Sequence, residues 1–110
     1  MNDQLVQVHE ERDSDSVVVR VSGEIDLSNV ARLEQRLDAA VEGCTRVVID
    51  LAAIEYIDSQ GLRLLSRLAN RLAECNAKLE VVAPPGGVAR DVLELTGMSD
   101  DIVIHDALDA

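Results

Sequence analysis

Near its start the chain alternates apolar and polar residues in a pattern that predicts a β-hairpin. Residues 4–10, QLVQVHE, alternate as a half-buried strand does, and residues 17–23, VVVRVSG, are rich in the β-branched side chains that strands favour. Between them, residues 12–16, RDSDS, are turn formers. We therefore predict two antiparallel strands joined by a short turn.

Three later segments repeat apolar residues every three or four positions, which is the period of an amphipathic helix. The first helix carries its apolar residues at Val30, Leu33, Leu37 and Val41. We expect Asp26 or Ser28 to cap its start and Gly43 to end it. The second helix is predicted over residues 59–74.

The third helix is predicted in VARDVLELTG, residues 88–97. Val88, Val92 and Leu95 form one apolar stripe along it. Gly97 is expected to stop the helix, because glycine readily adopts the left-handed conformation of a helix C-terminus.

Three further apolar runs predict the remaining strands. RVVIDLA at residues 46–52 and KLEVVAP at 78–84 are nearly continuous, and a short strand is expected at 102–104. The element order is then β-β-α-β-α-β-α-β, and strands joined through helices pair in parallel by right-handed crossovers. We predict an α/β fold: a single domain over residues 1–110, with a mixed sheet of four to five strands packed with helices.

A helical wheel separates the faces of the second predicted helix. The arc expected to face the sheet contains Leu62, Leu65, Leu68, Ala69, Leu72 and Ala73. Leu64 lies near the boundary of this arc and is a candidate for exposure. Arg63, Arg67 and Arg71 follow one another on the opposite face, and Ser59, Ser66 and Asn70 lie along one flank of it. Ser59 is therefore expected to point away from the core.

Two interpretations compete for Asp58-Ser59, at the start of this helix. Either side chain can cap the helix by accepting a hydrogen bond from an orphan backbone N–H. Alternatively, the Ser59 hydroxyl is a phosphorylation site, since a helix N-terminus tolerates a phosphate while a partner covering it does not. Gly61 is unfavourable in a first helical turn and suggests the close approach of another chain.

Composition and charge narrow the classes of function. The net charge of -11 repels nucleic acid and anionic membranes. No apolar run is long enough to span a bilayer, and the N-terminus lacks a secretion signal, so we expect a cytoplasmic protein without direct membrane insertion.

The residues of catalytic and metal sites are sparse. Cys44 and Cys75 are expected to be ordinary thiols, and His9 and His105 are isolated. The turn PPGGVAR, residues 84–90, lacks the lysine of a phosphate-binding loop. We expect no enzymatic activity, no metal and no cofactor.

Two segments, VSGEIDLSN at residues 21–29 and VVIDLAAIEYIDSQGLRLL at 47–65, resemble the STAS family. This family is named for sulfate transporters and anti-sigma factor antagonists, and the stand-alone bacterial antagonists match best. The resemblance covers essentially the whole chain. Its motifs are Gly23-Glu24-Ile25-Asp26, Asp50-Leu51 at a strand end, Asp58-Ser59-Gln60-Gly61-Leu62, and the LTGM run from Leu95 to Met98.

The resemblance implies a phosphorylation switch. Ser59 matches the serine that is phosphorylated by the partner, an anti-sigma factor that is also a serine kinase. Asp58 precedes it, and Asp26 matches a loop acid that lies beside it. The unphosphorylated antagonist binds the anti-sigma factor and so frees a sigma factor for transcription. Phosphorylation stops this binding, and a separate serine phosphatase restores it, which makes the family a partner-switching system.

The motifs also imply a partner-binding surface. Its expected residues are Gly23, Glu24, Ile25, Asp26, Ser59, Gln60, Gly61, Arg63, Ser66 and Arg67. Gln60 and Arg63 depart from the family, which often has Ser or Thr and Gly at these positions. Arg63 could pair with a phosphate on Ser59, or the arginine row could meet an acidic face of the partner.

Two other functions stay open at the level of sequence. A STAS scaffold or accessory subunit, in a stress-signalling assembly or beside a transporter, would use the same surface without a sigma-factor switch. An unrelated enzyme on a similar fold is the third hypothesis. Phosphorylation by a kinase and ATP distinguishes the anti-sigma factor antagonist from the STAS scaffold, because only the antagonist is expected to take a phosphate.

Overall fold

The two N-terminal strands form the predicted antiparallel hairpin. The chain is described by a computed structural model covering residues 6–98 and 102–108. Strand β1 spans Val6–Asp13 and β2 spans Ser16–Ile25, with Asp13 opposite Ser16 across the turn. Residues 4 and 5 of the predicted first strand lie outside the described residues.

The remaining elements follow the predicted alternation of helices and strands, with one addition. Their bounds are α1 Val30–Ala40, β3 Arg46–Asp50, β4 Ile54–Ile57, α2 Ser59–Glu74, β5 Lys78–Val82, α3 Val88–Thr96 and β6 Val103–His105. The structure confirms the α/β fold with a mixed sheet. The bounds of α2 match the prediction, and Gly97 ends α3 in the left-handed conformation as expected.

The sheet has the strand order β1-β2-β3-β5-β6, with β4 paired to β2 outside this path. Only the β1–β2 pair is antiparallel among the described strands. Strand β2 has two parallel partners in succession: β3 along residues 16–20 and β4 from Gly23 to Ile25. The pairing with β4 contains an irregularity between Gly23 and Glu24, where Gly23 has a φ of 96°.

The expected count of four to five strands was too low, because the described residues form six. The missing strand is β4, whose four residues, IEYI, are buried only at the two ends. This pattern does not alternate, and four residues are too few for a strand signal, so the sequence shows the segment only as an apolar run before α2.

The core lies between one face of the sheet and the three helices. Its fully buried large side chains include Leu37 of α1, Leu68 of α2, Leu93 of α3 and Ile49 of β3. The opposite face of the sheet carries polar side chains, among them Arg46, Glu80 and His105, which join β3, β5 and β6 through hydrogen bonds.

Two predicted helix faces are corrected by the structure. In α2, Leu64 is buried at 2% exposure and Ala73 is exposed. Leu64 lies three residues before Arg67, which pairs with Glu34 of α1, so α1 packs along this flank.

In α3, Val88 and Leu95 of the predicted stripe are exposed, and Ala89 and Leu93 are buried instead. The spacing of Val88 and Leu95 and that of Ala89 and Leu93 both fit a helical period. Spacing alone therefore does not decide which pair is buried.

The start of α1 also differs from the expectation. Its N-cap residue is Asn29 rather than Asp26 or Ser28, and the Asn29 side chain makes no capping hydrogen bond. The helix ends at Ala40, three residues before Gly43. Within the described ranges, no helix is long and apolar enough to cross a membrane.

Candidate functional site

The two motifs singled out in the sequence meet at one edge of the sheet. Strands β2 and β4 run in parallel with Ile25 opposite Ile57, so their carboxyl ends lie side by side. The backbone N–H of Asp58 donates to the carbonyl oxygen of Ile25 at 3.2 Å. Asp26 follows β2 at this edge, and Ser59 begins α2 there.

Asp58 is the cap of α2. Its Oδ1 accepts hydrogen bonds from the backbone N–H of Gln60 at 2.9 Å and of Gly61 at 3.2 Å. The capping interpretation is therefore confirmed, with Asp58 as the residue that supplies it. Ser59 is the exposed first residue of the helix, and its hydroxyl forms no hydrogen bond to the described residues.

Gly61 is required by the close approach of the protein's own strands. A Cβ at this position would lie 2.6 Å from Cγ1 of Ile57 and 2.9 Å from Cγ2 of Ile25. These separations are shorter than van der Waals contact, so a side chain does not fit. Packing against Ile25 of β2 and Ile57 of β4 therefore accounts for this glycine without the approach of another chain.

The loop after β2 is organised by side-chain hydrogen bonds. Asp26 Oδ1 accepts from the backbone N–H of Ser28 at 2.9 Å and also from the Ser28 hydroxyl. Asn29 accepts from the Asp26 N–H and donates to the Glu24 carbonyl oxygen. Leu27, between these groups, is 73% exposed.

Asn29 is a residue of this site that was not predicted from the sequence. Its side chain is buried, at 2% exposure. The signal that could have found it is its place immediately before the apolar period that starts at Val30. A polar amide at a helix start either caps the helix or bonds the preceding loop.

The predicted arginine row divides into two kinds of residue. Arg67 forms a bidentate pair with Glu34 of α1, at 3.0 and 2.8 Å, and Arg71 pairs with Asp38 of the same helix. The hydrogen bond from Arg67 lowers the pKa of Glu34. Arg63, one turn after Ser59, is exposed and forms no ion pair with any residue in the described ranges.

The other expected partner-binding residues have different exposures. Ser66 is exposed, and Glu24 and Gln60 are half-buried. Ile25 and Gly61 are buried, so they shape the junction of strand and helix and present no side chain to a partner. The surface around Ser59 is thus formed by the Glu24–Asp26 loop and the outer face of α2.

Two further features of the structure are its capacity to bind a metal ion through its side chains and the state of its thiols. Among residues 6–98 and 102–108, no group of three or more His, Cys, Asp or Glu side chains could hold a metal ion. Cys44 is buried, Cys75 is exposed, and both are free thiols.

This chain is similar to known proteins in sequence and in structure. The anti-sigma-F factor antagonist RsfB of Mycobacterium tuberculosis is 35% identical over a 96-residue alignment, which covers 83% of this chain and 77% of RsfB. The anti-sigma-B factor antagonist of Listeria monocytogenes is 31% identical over 96 residues, covering 86% of this chain and 82% of that protein.

A solved structure of an anti-sigma factor antagonist from Mycobacterium paratuberculosis superposes with a TM-score of 0.83 at 32% identity. The match covers 94% of this chain and 88% of that one. Residues 7–110 match the STAS domain family. The chain therefore belongs to the STAS domain family, as its two motifs indicated.

Proposed function

We propose that this protein is an anti-sigma factor antagonist switched off by phosphorylation of Ser59. In this function it binds an anti-sigma factor that is also a serine kinase, and so releases a sigma factor. The observation that carries the proposal is the exposed Ser59 hydroxyl, which lies at the start of a helix that Asp58 already caps. The antagonists similar to this chain in sequence and in structure support the partner class.

The position of Ser59 suits a switch of association. A phosphate there meets the positive end of the α2 dipole, so the domain itself tolerates it. The phosphate nevertheless adds about -1.5 to -2 charges to the surface. A partner that covers this spot must bury or repel that charge, and every 1.4 kcal/mol lost lowers affinity about tenfold.

The accessible groups at this edge, half-buried before α2 and exposed along it, give the proposed partner its contacts. Asp26 and Glu24 lie on one side of Ser59, and Arg63 and Ser66 follow along α2. Arg67 is engaged by Glu34, so we assign its charge to the contact between α1 and α2 before any contact with a partner. Arg63, unpaired within the described residues, is the stronger candidate for a charged contact.

The proposal includes no catalytic role for this chain. The kinase supplies the phosphoryl transfer, and a separate serine phosphatase reverses it. Because sigma factors act on RNA polymerase in the cytoplasm, we propose that location for the protein.

The proposed function is tested by incubating the protein with the anti-sigma factor kinase of the same organism and ATP. Intact-mass analysis should show one added phosphate on the wild type and none on Ser59→Ala. The control is Thr96→Ala, which removes an exposed hydroxyl from α3, outside the proposed partner surface, and should leave phosphorylation unchanged.

Binding measurements complete this test. Ser59→Ala should bind the anti-sigma factor as the wild type does, and Ser59→Asp should bind more weakly. A phosphate that persists in Ser59→Ala would remove the residue on which the proposal rests. Strong binding of the anti-sigma factor without any phosphorylation would instead favour a scaffold that uses the same surface.

A further inference from the structure

Asn29 is one of only two polar residues that the structure buries within its described residues. Its exposure is 2%, and the other, Glu80, lies on the far face of the sheet. A buried amide is costly unless both of its ends are hydrogen-bonded. The burial of the Asn29 amide therefore depends on the groups to which it is hydrogen-bonded.

Both ends of the Asn29 amide bond the loop that precedes it. Nδ2 donates to the Glu24 carbonyl oxygen at 2.9 Å, and Oδ1 accepts from the Asp26 N–H at 3.1 Å. Asn29 occupies the N-cap position of α1, yet its side chain does not cap that helix. The amide thus fixes the backbone on both sides of Ile25 rather than stabilising α1.

This backbone leads directly to the phosphorylation site. Ile25 lies opposite Ile57 in the parallel pair, and its carbonyl oxygen accepts from the Asp58 N–H. The bonds of Asn29 therefore fix the backbone on either side of Ile25, the residue whose carbonyl oxygen holds the start of α2. The cap of α2 and the packing of Gly61 involve other atoms, so they remain when the amide is removed.

We propose that Asn29 is a positioning residue that holds Asp26 in place for phosphorylation of Ser59. This inference rests on the proposed function and assigns it a residue outside both motifs. Asn29 touches neither Ser59 nor the phosphate, and it acts through the backbone of Glu24 and Asp26.

The chemistry of the amide explains why the position takes asparagine. One side chain must donate to a carbonyl and accept from an N–H at the same time. The aspartate side chain introduced by Asn29→Asp would have the same shape but no donor, and would set a carboxylate oxygen against the Glu24 carbonyl. Asn29→Asp therefore tests the donor, and Asn29→Ala tests the whole amide.

The kinetic experiment uses the anti-sigma factor kinase, ATP and the full chain. Asn29→Ala and Asn29→Asp should lower the kcat of Ser59 phosphorylation by about tenfold, with a smaller change in KM. The matched control is Glu80→Gln, which also disturbs a buried polar group but lies on the opposite face of the sheet. It should lower Tm and leave phosphorylation unchanged in the folded protein.

A double-mutant cycle separates positioning from general destabilisation. If Asn29 acts through Asp26, the effects of Asn29→Ala and Asp26→Asn on kcat should not add. Additive effects would overturn the proposal. The same holds if Asn29→Ala lowers Tm but is phosphorylated like the wild type, since the role of Asn29 would then be only structural.

A second measurement needs no kinase and keeps this inference separate from the proposed function. In ¹⁵N–¹H spectra, Asn29→Ala should shift the amide resonances of Asp26 and Ser28 and leave those of Gln60 and Gly61 unchanged. An unshifted Asp26 amide would contradict positioning by Asn29. If the wild type takes no phosphate while this shift is observed, the proposed function and the role of Asn29 in phosphorylation are both overturned, and only the positioning of the Asp26 backbone stands.

Discussion

Asp58 and Ser59 show how two adjacent polar residues divide their roles. The Asp58 carboxylate accepts from two N–H groups of the first turn of α2, and the Ser59 hydroxyl is left exposed. Either residue was a possible cap in the sequence, because Asp and Ser have similar preferences for that position. Only the structure assigns the cap, and that assignment leaves the hydroxyl available for modification.

At the residue scale, we predict that Gly61→Ala destabilises the protein. The new methyl group would lie within 3 Å of atoms in Ile57 and Ile25, so α2 or the strands must shift. We expect the free energy of unfolding to fall by about 1–3 kcal/mol, measured by urea denaturation.

The control for this prediction is Ser66→Ala on the exposed face of α2, which should change stability by no more than about 0.5 kcal/mol. Gly61→Ala with wild-type stability would contradict the close packing. Helix propensity alone would make that substitution stabilising, so the two explanations predict opposite signs.

At the scale of elements, the long helix α2 and the parallel strands were predictable, and the contacts between elements were not. The leucine period predicted α2 and the centre of its buried face, since Leu65, Leu68 and Leu72 are buried as expected. The packing of α1 beside it, which buries Leu64, depends on residues far away in sequence. The stripe on α3 was misplaced for the same reason.

The candidate site, like the fold, was predicted from the sequence only in part. The motif residues Asp26, Asp58 and Ser59 could be named, and the parallel pairing of β2 with β4 brings their segments to one edge. The short strand that creates this pairing was not recognised, and neither was Asn29. Hydrogen bonds between a side chain and a nearby backbone depend on loop geometry, which hydrophobic periodicity does not encode.

The division of the arginine row leads to a prediction about α2. Arg63→Gln should weaken binding of the anti-sigma factor by roughly two- to fivefold and leave Tm unchanged, because Arg63 forms no ion pair with the described residues. Arg67→Gln should lower Tm slightly, because it breaks the pair with Glu34. Calorimetric titration and thermal denaturation measure the two effects.

Salt concentration provides the control for this pair of variants. The loss of affinity in Arg63→Gln should shrink as salt screens the exposed charge. If Arg63→Gln lowers Tm and leaves binding intact, Arg63 belongs to the fold and its assignment to the partner surface is wrong.

At the scale of the whole molecule, Glu80 links three strands on the polar face of the sheet. Its carboxylate accepts from Arg46 of β3 at 2.7 and 3.0 Å, and lies 2.7 Å from Nε2 of His105 on β6. The hydrogen bond from Arg46, together with the contact to His105, lowers the pKa of Glu80 to about 2. The carboxylate is therefore much more stable in the folded protein than in the unfolded chain.

This lowered pKa predicts a loss of stability in acid. The contribution is fully present above the ordinary pKa of 4.5 and disappears as the pH falls from there through about 2. It amounts to roughly 2–3 kcal/mol of unfolding free energy. Urea denaturation of the wild type and Glu80→Gln at several pH values should show the difference between them narrowing over this window.

Acid also protonates other carboxylates, so the test depends on the difference in stability between the wild type and Glu80→Gln. A difference that stays constant between about pH 5 and about pH 2.5 would contradict the role of Glu80 as an ionised link. Since Glu80 lies on the polar face of β5, which β3 separates from β2, its loss should not change phosphorylation at neutral pH.

The cap supplied by Asp58 has a consequence for the cell as well as for the helix. Because Ser59 contributes no bond to the described fold and a phosphate there meets the positive end of the α2 dipole, phosphorylation should not lower the resistance of the protein to unfolding or to proteases. Phosphorylation would then not shorten the lifetime of the protein. Under the proposed function, the fraction of active antagonist would depend only on the opposing rates of kinase and phosphatase, and protein turnover would not distort the signal.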